Sequence, residues 1–135
     1  MYLPQPTSGA SPAPFRATFL HSFRFAWQGI VHVAQTQRNM RVHLAIAIAV
    51  MATAAILHIS RLEWAVLIAC TMIVIAAEMI NTVVEALVDL AVDQYHPLAK
   101  IAKDAAAGAV LVTATGSAVI GIVILAPPLW HATGR

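Results

Sequence analysis

The fold is decided by residues 64–91, WAVLIACTMIVIAAEMINTVVEALVDLA. The first fourteen of these residues carry no charge, and then acidic and amide side chains return at helical spacing, beginning with Glu78. A charged side chain near the centre of a bilayer costs about 2.5–3.5 kcal/mol on insertion scales, so a retained one points to function. We therefore expect a membrane-spanning helix that carries a functional site in its second half.

The composition of the chain excludes an ordinary soluble domain. The 135 residues are 60% hydrophobic and 10% charged, with a mean hydropathy of +0.79, whereas soluble domains are roughly a quarter charged. No basic run with interleaved aromatic residues occurs, so we expect no nucleic-acid partner. A chain of this length buries little surface by itself, which favours an oligomer. The lone Cys70 allows no disulfide within the chain and is expected to pack in the membrane.

Two further apolar stretches predict two more spans, at about residues 42–59 and 99–126. The first holds 18 residues without a charge, which at 1.5 Å per residue just crosses a hydrocarbon core of roughly 30 Å. Pro97 is expected to open the helix of the last span, and Pro127 with Pro128 to end it. The predicted fold is therefore an all-α bundle with three transmembrane helices.

The segments outside the spans have different patterns. Residues 15–37 place apolar and polar side chains on opposite sides of a helix, which predicts an amphipathic helix lying on the membrane surface. Residues 1–14 hold four prolines and are expected to form a disordered tail, and residues 128–135 a second short tail. Residues 15–127 then form a single domain.

The basic residues predict the orientation in the plasma membrane. Six lie before the first span or between the second and third spans: Arg16, Arg24, Arg38, Arg41, Lys100 and Lys103. The other two flanks carry Arg61 and Arg135. Positively charged loops stay in the cytoplasm, so we expect a cytoplasmic amino terminus, an external carboxyl terminus, and a polar cluster at the cytoplasmic end of the second and third spans.

Polar side chains in the second span share one side of the helix. They fall within a sector of about 100° and are Glu78, Asn81, Thr82, Glu85 and Asp89. Carboxylates of this kind hold Mg²⁺ beside a substrate phosphate, or accept a proton as a general base. The nearby Lys100 and Lys103 add donors for phosphate oxygens, and Asp104 follows Lys100 by one helical turn. No glycine-rich phosphate loop occurs in the sequence, so a nucleotide would be held by side chains and metal.

This row of polar side chains, which we call the polar ladder, has three other interpretations. Glu78 and Asn81 are also suited to hydrogen bonding between neighbouring helices, and a carboxylate ladder also suits a proton or cation pathway. The paired lysines argue against the pathway, because added positive charge does not help a cation to pass. A carboxylate-bridged metal bundle would need Glu-x-x-His pairs, and the sequence has none.

Two segments carry a resemblance to a known family. AEMINTVVEALVDLAVDQYHPLAKIAKDAAAGAV, residues 77–110, closely resembles the signature of the small prokaryotic membrane-embedded diacylglycerol kinase and undecaprenol kinase family. WQGIVHVAQTQRNMRVHL, residues 27–44, is similar to that family's surface helix and its approach to the first span. The resemblance implies a homotrimer of three-span subunits that phosphorylates the hydroxyl of undecaprenol or diacylglycerol, with ATP and Mg²⁺. Pro97 looks closer to the undecaprenol kinase branch.

The resemblance also implies roles for single residues. Glu78 matches the catalytic base that contacts the lipid hydroxyl, Asn81 the residue that supports it, and Glu85 a ligand of the nucleotide-bound Mg²⁺. The nucleotide-binding positions are Glu85, Gln94, Tyr95, His96, Lys103 and Asp104. Trp27 and Arg41 match positions on the lipid side, and Asp89 with Lys100 are expected to support the site.

The chain departs from the family pattern at two positions. Gln37 stands where many relatives have a second metal-binding carboxylate. Its amide still offers an oxygen but contributes no charge, which weakens the expectation of a second metal ion. Phe25 stands where a tyrosine often contacts the nucleotide, and it lacks the hydroxyl.

Overall fold

The computed structural model describes residues 19–134, which form four α-helices. The helices are α1 (Phe19–Thr36), α2 (Arg38–Ile56), α3 (Arg61–Ala91) and α4 (Pro97–Thr133). Helices α2, α3 and α4 are long and apolar enough to cross a membrane. The predicted all-α membrane fold with three spans is confirmed. The predicted tail at residues 1–14 and the first four residues of the predicted surface helix lie outside the described residues.

A single residue, Gln37, separates α1 from α2. Its backbone is extended, with φ −91° and ψ 119°. The Gln37 N–H still donates to the carbonyl of Val33 at 2.9 Å and so completes α1, while the Gln37 carbonyl accepts from the N–H of Arg41 at 3.4 Å and opens α2. The Arg41 guanidinium donates to the carbonyl of Gln35 at 3.0 Å, which satisfies one of the backbone acceptors that a helix leaves open at its end.

Helix α1 exposes most of its surface, including its aromatic side chains. Phe19 is 86% exposed, Phe23 66% and Trp27 59%. Large apolar groups on an otherwise polar helix are typical of a helix that lies in the headgroup layer. The location of α1 on the membrane surface stays a prediction.

Helix α3 begins with a capping box and continues unbroken for 31 residues. The Ser60 hydroxyl accepts from the Glu63 N–H at 3.3 Å, and the Glu63 carboxylate accepts from the Ser60 N–H at 2.7 Å. This reciprocal pair satisfies two of the donors that a helix start leaves open. The unbroken helix carries every member of the predicted polar ladder on one rigid element.

Helix α4 begins as the sequence predicts but ends later. Pro97 is its first residue and His96 its N-cap, with the His96 Nδ1 accepting from the Leu98 N–H at 3.2 Å. The prediction that Pro127 and Pro128 end the helix was wrong, since α4 continues to Thr133. A proline fixes φ near the helical value, but it removes an N–H donor and crowds the carbonyl four residues earlier, so the two prolines weaken α4 at these positions without ending it.

The bundle packs mainly through α3 and α4, with α2 against both. The Ser117 hydroxyl of α4 donates to the backbone carbonyl of Cys70 on α3 at 3.4 Å, a contact that needs a small side chain between the helices. The buried apolar side chains include Met40 and Ala54 on α2, with Leu67 and Val74 on α3. Most of the apolar surface of the three long helices remains uncovered within one chain.

Candidate active site

Glu78 and Asn81 lie inside the bundle, where α3 meets α2 and α4. Within residues 19–134 they are the polar side chains that become buried, at 2% and 6% exposure. One oxygen of each, Glu78 Oε2 and Asn81 Oδ1, has no hydrogen-bond partner among the described residues. A buried polar atom left without a partner costs about 1–3 kcal/mol, so these two atoms call for a bonding partner such as a bound water molecule or a ligand.

The two side chains line a cavity of about 220 Å³. Its lining residues are Asn39, His43, Glu78, Asn81, Ala107, Val110, Leu111 and Ala114. The polar groups come from α2 and α3, and α4 supplies an apolar wall. A small cavity with a few convergent polar groups and an apolar side is the usual form of a binding site for a small polar head.

Along α3 the polar side chains are joined to one another. The Asn81 amide donates to the Glu85 carboxylate at 3.0 Å, and the Thr82 hydroxyl donates to the Glu78 carbonyl at 3.0 Å. Glu85 is half-buried and Asp89 exposed. The ladder therefore passes from the buried Glu78 to the surface at the α3–α4 loop, with Asn81 bonded to Glu85 on the loop side.

Two ion pairs lie at the loop end of α3 and α4. Lys103 on α4 contacts Asp89 on α3 with 2.5 Å between Nζ and Oδ1, and Lys100 pairs with Asp104 one turn further along α4. All four residues belong to the predicted site. The structure therefore gathers two predicted nucleotide-binding residues, Lys103 and Asp104, and pairs each with a predicted supporting residue, Asp89 or Lys100.

The remaining nucleotide candidates lie in the α3–α4 loop. Gln94 and Tyr95 are exposed, Tyr95 at 79%, and the His96 ring caps α4. These side chains share the loop end of the bundle with Lys103, but they do not line the Glu78 cavity. A ligand contacting both groups would have to extend from the loop toward the bundle interior.

The structure does not bring the predicted lipid-side residues to Glu78. Trp27 lies exposed on α1, Arg41 is bonded to the end of α1, and neither lines the Glu78 cavity. Gln37 is half-buried at the break between α1 and α2.

The ladder has two carboxylates on the loop side of Glu78, namely Glu85 and Asp89, and Asp89 is already paired with Lys103. Among the described residues no three His, Cys, Asp or Glu side chains cluster closely enough to form a metal cage. Mg²⁺ commonly keeps waters and uses one or two carboxylates together with substrate phosphates. The half-buried Glu85 fits that kind of ligand set, and Gln37 offers a neutral oxygen on another element.

A second, larger cavity adjoins the first. It measures about 650 Å³ and is an apolar groove between α2, α3 and α4, with Ile46, Leu67 and Leu125 among its walls. His43 and Ala114 line both cavities. At Gly121, which also lines the groove, a Cβ atom would meet no neighbour within 4 Å. The groove is therefore open along α4 and meets the polar cavity at His43.

Sequence reasoning missed Asn39 and His43 as members of this site. Neither residue is among the sequence-predicted site residues, since a histidine at the edge of a predicted span usually belongs to the membrane interface. A signal existed, because residues four apart share one face of a helix and these two are polar at the start of an otherwise apolar helix. Their meeting with Glu78 depends on how α2 packs against α3, which no local pattern shows.

Comparison with known proteins gives a consistent result over most of the chain. The family described as prokaryotic diacylglycerol kinase matches residues 24–125. The chain is similar to a diacylglycerol kinase of Synechocystis sp., at 47% identity over 111 residues, 82% of this chain and 63% of that protein. It therefore spans less than two thirds of the Synechocystis relative.

Two other relatives are matched over most of their own length. An undecaprenol kinase of Bacillus subtilis is 43% identical over 111 residues, 82% of this chain and 90% of that protein. A diacylglycerol kinase of Pseudomonas aeruginosa is 28% identical over 110 residues, 78% of this chain and 89% of that protein. The matched region includes all of α2 and α3 and most of α4.

Proposed function

This chain belongs to the prokaryotic diacylglycerol kinase family, and we propose that it is a multi-pass membrane lipid kinase that transfers the γ-phosphate of ATP to a lipid hydroxyl. The match over residues 24–125 confirms the resemblance of the two sequence segments to this family. The observation that carries the proposal is the buried Glu78, which lines a cavity beside an apolar groove and has one carboxylate oxygen without a partner among the described residues. The acceptor is undecaprenol or diacylglycerol, as the names of the relatives suggest.

Glu78 is the proposed general base. Its buried carboxylate accepts the proton of the lipid hydroxyl as that oxygen attacks the γ-phosphorus, a role that contributes about 10²–10⁴-fold to a rate. The carboxylate is shielded from bulk water, because only 2% of the residue is exposed. Asn81 holds the adjoining turn in place through its bond to Glu85.

The groups proposed to neutralise the charge on the phosphates lie nearer the loop between α3 and α4. Phosphoryl transfer depends chiefly on positioning and on neutralising charge. Glu85 would hold the Mg²⁺ that arrives with ATP, and this ion would supply positive charge to the phosphate oxygens. In this proposal the rest of the nucleotide contacts Gln94, Tyr95, His96 and Asp104.

Lys103 connects the two parts of the site. Its backbone lies four residues before Ala107, a wall of the Glu78 cavity, and four residues of helix rise about 6 Å. The flexible lysine side chain can therefore turn from Asp89 toward the cavity. In the proposed complex a phosphate oxygen replaces the Asp89 carboxylate as its partner.

Orientation and assembly are parts of the same proposal. The basic residues place the amino terminus and the loop end of α3 and α4 in the cytoplasm, where ATP is available, with the carboxyl terminus outside. Labelling of single cysteines from either side of the membrane tests this orientation. The resemblance implies a homotrimer, which native mass spectrometry of detergent-solubilised protein tests.

The function is tested by offering the purified protein γ-labelled ATP and Mg²⁺ in mixed micelles that contain either undecaprenol or diacylglycerol. We expect labelled lipid phosphate, more from undecaprenol because of Pro97, and its loss when the metal is chelated. Absence of labelled lipid from both acceptors would contradict the proposal. Cation flux through vesicles containing the protein, with no transfer, would instead favour a cation pathway.

A further inference from the structure

His43 occupies a position that the proposed reaction does not yet explain. It lies on α2, four residues after Asn39, and it lines both the apolar groove and the Glu78 cavity. A lipid alcohol combines an apolar chain with one polar group. A binding site for it requires a junction of this kind, where an apolar channel meets a polar pocket.

The polar cavity has donors on one helix and acceptors on another. The unpartnered atoms are both on α3, Glu78 Oε2 and Asn81 Oδ1, and an ionised carboxylate and an amide oxygen only accept hydrogen bonds. Of the residues that line the cavity, those with side-chain donors facing them from α2 are Asn39 and His43. The wall from α4 consists of alanine, valine and leucine.

The position of His43 favours it as the partner of Glu78. Glu85 lies seven residues along the same helix, about 10 Å in helix rise, whereas His43 shares the cavity with Glu78. A histidine ring carries at least one N–H donor, so His43 is able to donate to the Glu78 carboxylate.

We infer that His43 is a positioning residue for lipid phosphorylation, holding one oxygen of Glu78 so that the other faces the acceptor hydroxyl at the mouth of the groove. The inference rests on the proposed kinase function. A base oriented by a third group is a general arrangement in enzymes that deprotonate an alcohol. A carboxylate without such a partner turns among several orientations, and misplacement by about 1 Å can cost 10²-fold in rate.

The first test compares three variants of the full chain in micelles with the acceptor lipid. For His43→Ala we expect kcat to fall by about 10²-fold and the KM for ATP to stay unchanged, because the nucleotide groups lie toward the loop end. His43→Gln retains a donor and is expected to recover part of the loss. The matched control is His58→Asn at the other end of α2, where φ is 50°, a conformation that asparagine tolerates; its kcat should equal that of the wild type.

A double variant separates positioning from structural support. If His43 acts through Glu78, then adding His43→Ala to Glu78→Gln should lower kcat by less than about twofold, since no base remains to be positioned. Independent losses that multiply would overturn the inference, and so would wild-type kcat in His43→Ala and His43→Gln. These two outcomes would overturn the role of His43 while the wild-type protein still phosphorylates lipid. If the wild-type protein transfers phosphate to neither lipid, the kinase proposal itself is rejected.

Discussion

Lys103 and Asp89 form a contact that is well placed but easily exchanged. The lysine and aspartate side chains remain 37% and 68% exposed, and exposed ion pairs contribute about 0–1 kcal/mol to stability. A phosphate offers the lysine more oxygens and more charge than one carboxylate. Asp89 is therefore interpreted as the residue that keeps Lys103 beside the site until a nucleotide binds.

Substitutions at the two ends of this pair should have unequal effects. Lys103→Ala removes a charge-assisted contact to phosphate, typically about 1.5–3 kcal/mol, so we expect the KM for ATP to rise tenfold or more. Asp89→Asn should leave this KM within about threefold and lower stability by less than about 1 kcal/mol. ATP saturation curves and thermal unfolding in detergent measure both effects, with the exposed Asp93→Asn as control. An Asp89→Asn variant as impaired in ATP binding as Lys103→Ala would contradict this interpretation.

Single residues differ in how far the sequence reveals them. Glu78 stands out because one acid interrupts a long uncharged helix, and the structure buries it as that reasoning expects. The link from Asn81 to Glu85 follows from their spacing of four residues. His43 does not stand out, since a histidine near the end of a span suits the interface equally well. Its position beside Glu78 depends on tertiary packing.

At the scale of elements, His96 has two separable roles. It is the N-cap of α4, accepting a hydrogen bond from Leu98, and it is also a proposed nucleotide contact. The sequence indicates the start of α4 through Pro97, which is favoured at the first helical position. The capping by a histidine ring is not predicted, because Ser, Thr, Asp and Asn are the usual N-cap residues.

Replacing His96 by asparagine tests the two roles separately. Asparagine caps helices well, so His96→Asn should unfold at the same temperature as the wild type while its KM for ATP rises severalfold. His96→Ala should lose the cap as well, at a cost of about 1 kcal/mol. Unfolding curves and ATP saturation kinetics distinguish the variants. Unchanged ATP kinetics in His96→Asn would limit His96 to the cap.

Element boundaries were predictable where a cap or a charge marks them. The start of α3 carries a capping box at Ser60 and Glu63, close to the predicted start of the second span. The end of α4 was not predictable from Pro127 and Pro128, because a proline weakens a helix without always ending it. The break between α1 and α2 has no strong local signal, since the glutamine at its N-cap position, Gln37, is neither a preferred N-cap residue nor a helix breaker.

At the scale of the whole molecule, the surface left uncovered is the main feature. Within the most apolar stretches of α2, α3 and α4, 11%, 22% and 6% of the residues are buried. Apolar surface of this extent needs lipid or other subunits around it. The three spans were predictable from hydropathy. The contacts that cover their apolar surfaces were not predictable, because no local sequence pattern specifies them.

The bundle also explains how one site can receive both a lipid and a water-soluble nucleotide. The apolar groove lies between α2, α3 and α4, and the ion pairs of α3 and α4 lie at the loop end. Glu78 lies between them, buried and reached from the groove at His43. The account therefore depends on Glu78 taking the proton of a lipid alcohol, and not on its bonding to a neighbouring helix.

The most direct measurement is lipid phosphorylation by Glu78→Gln, compared with Glu63→Gln. The control makes the same change earlier on α3, where glutamine also suits a capping box. We predict that Glu78→Gln unfolds at the wild-type temperature and keeps its KM for ATP while its kcat falls by about 10²–10⁴-fold, and that Glu63→Gln keeps full turnover. Wild-type turnover in Glu78→Gln would contradict the account.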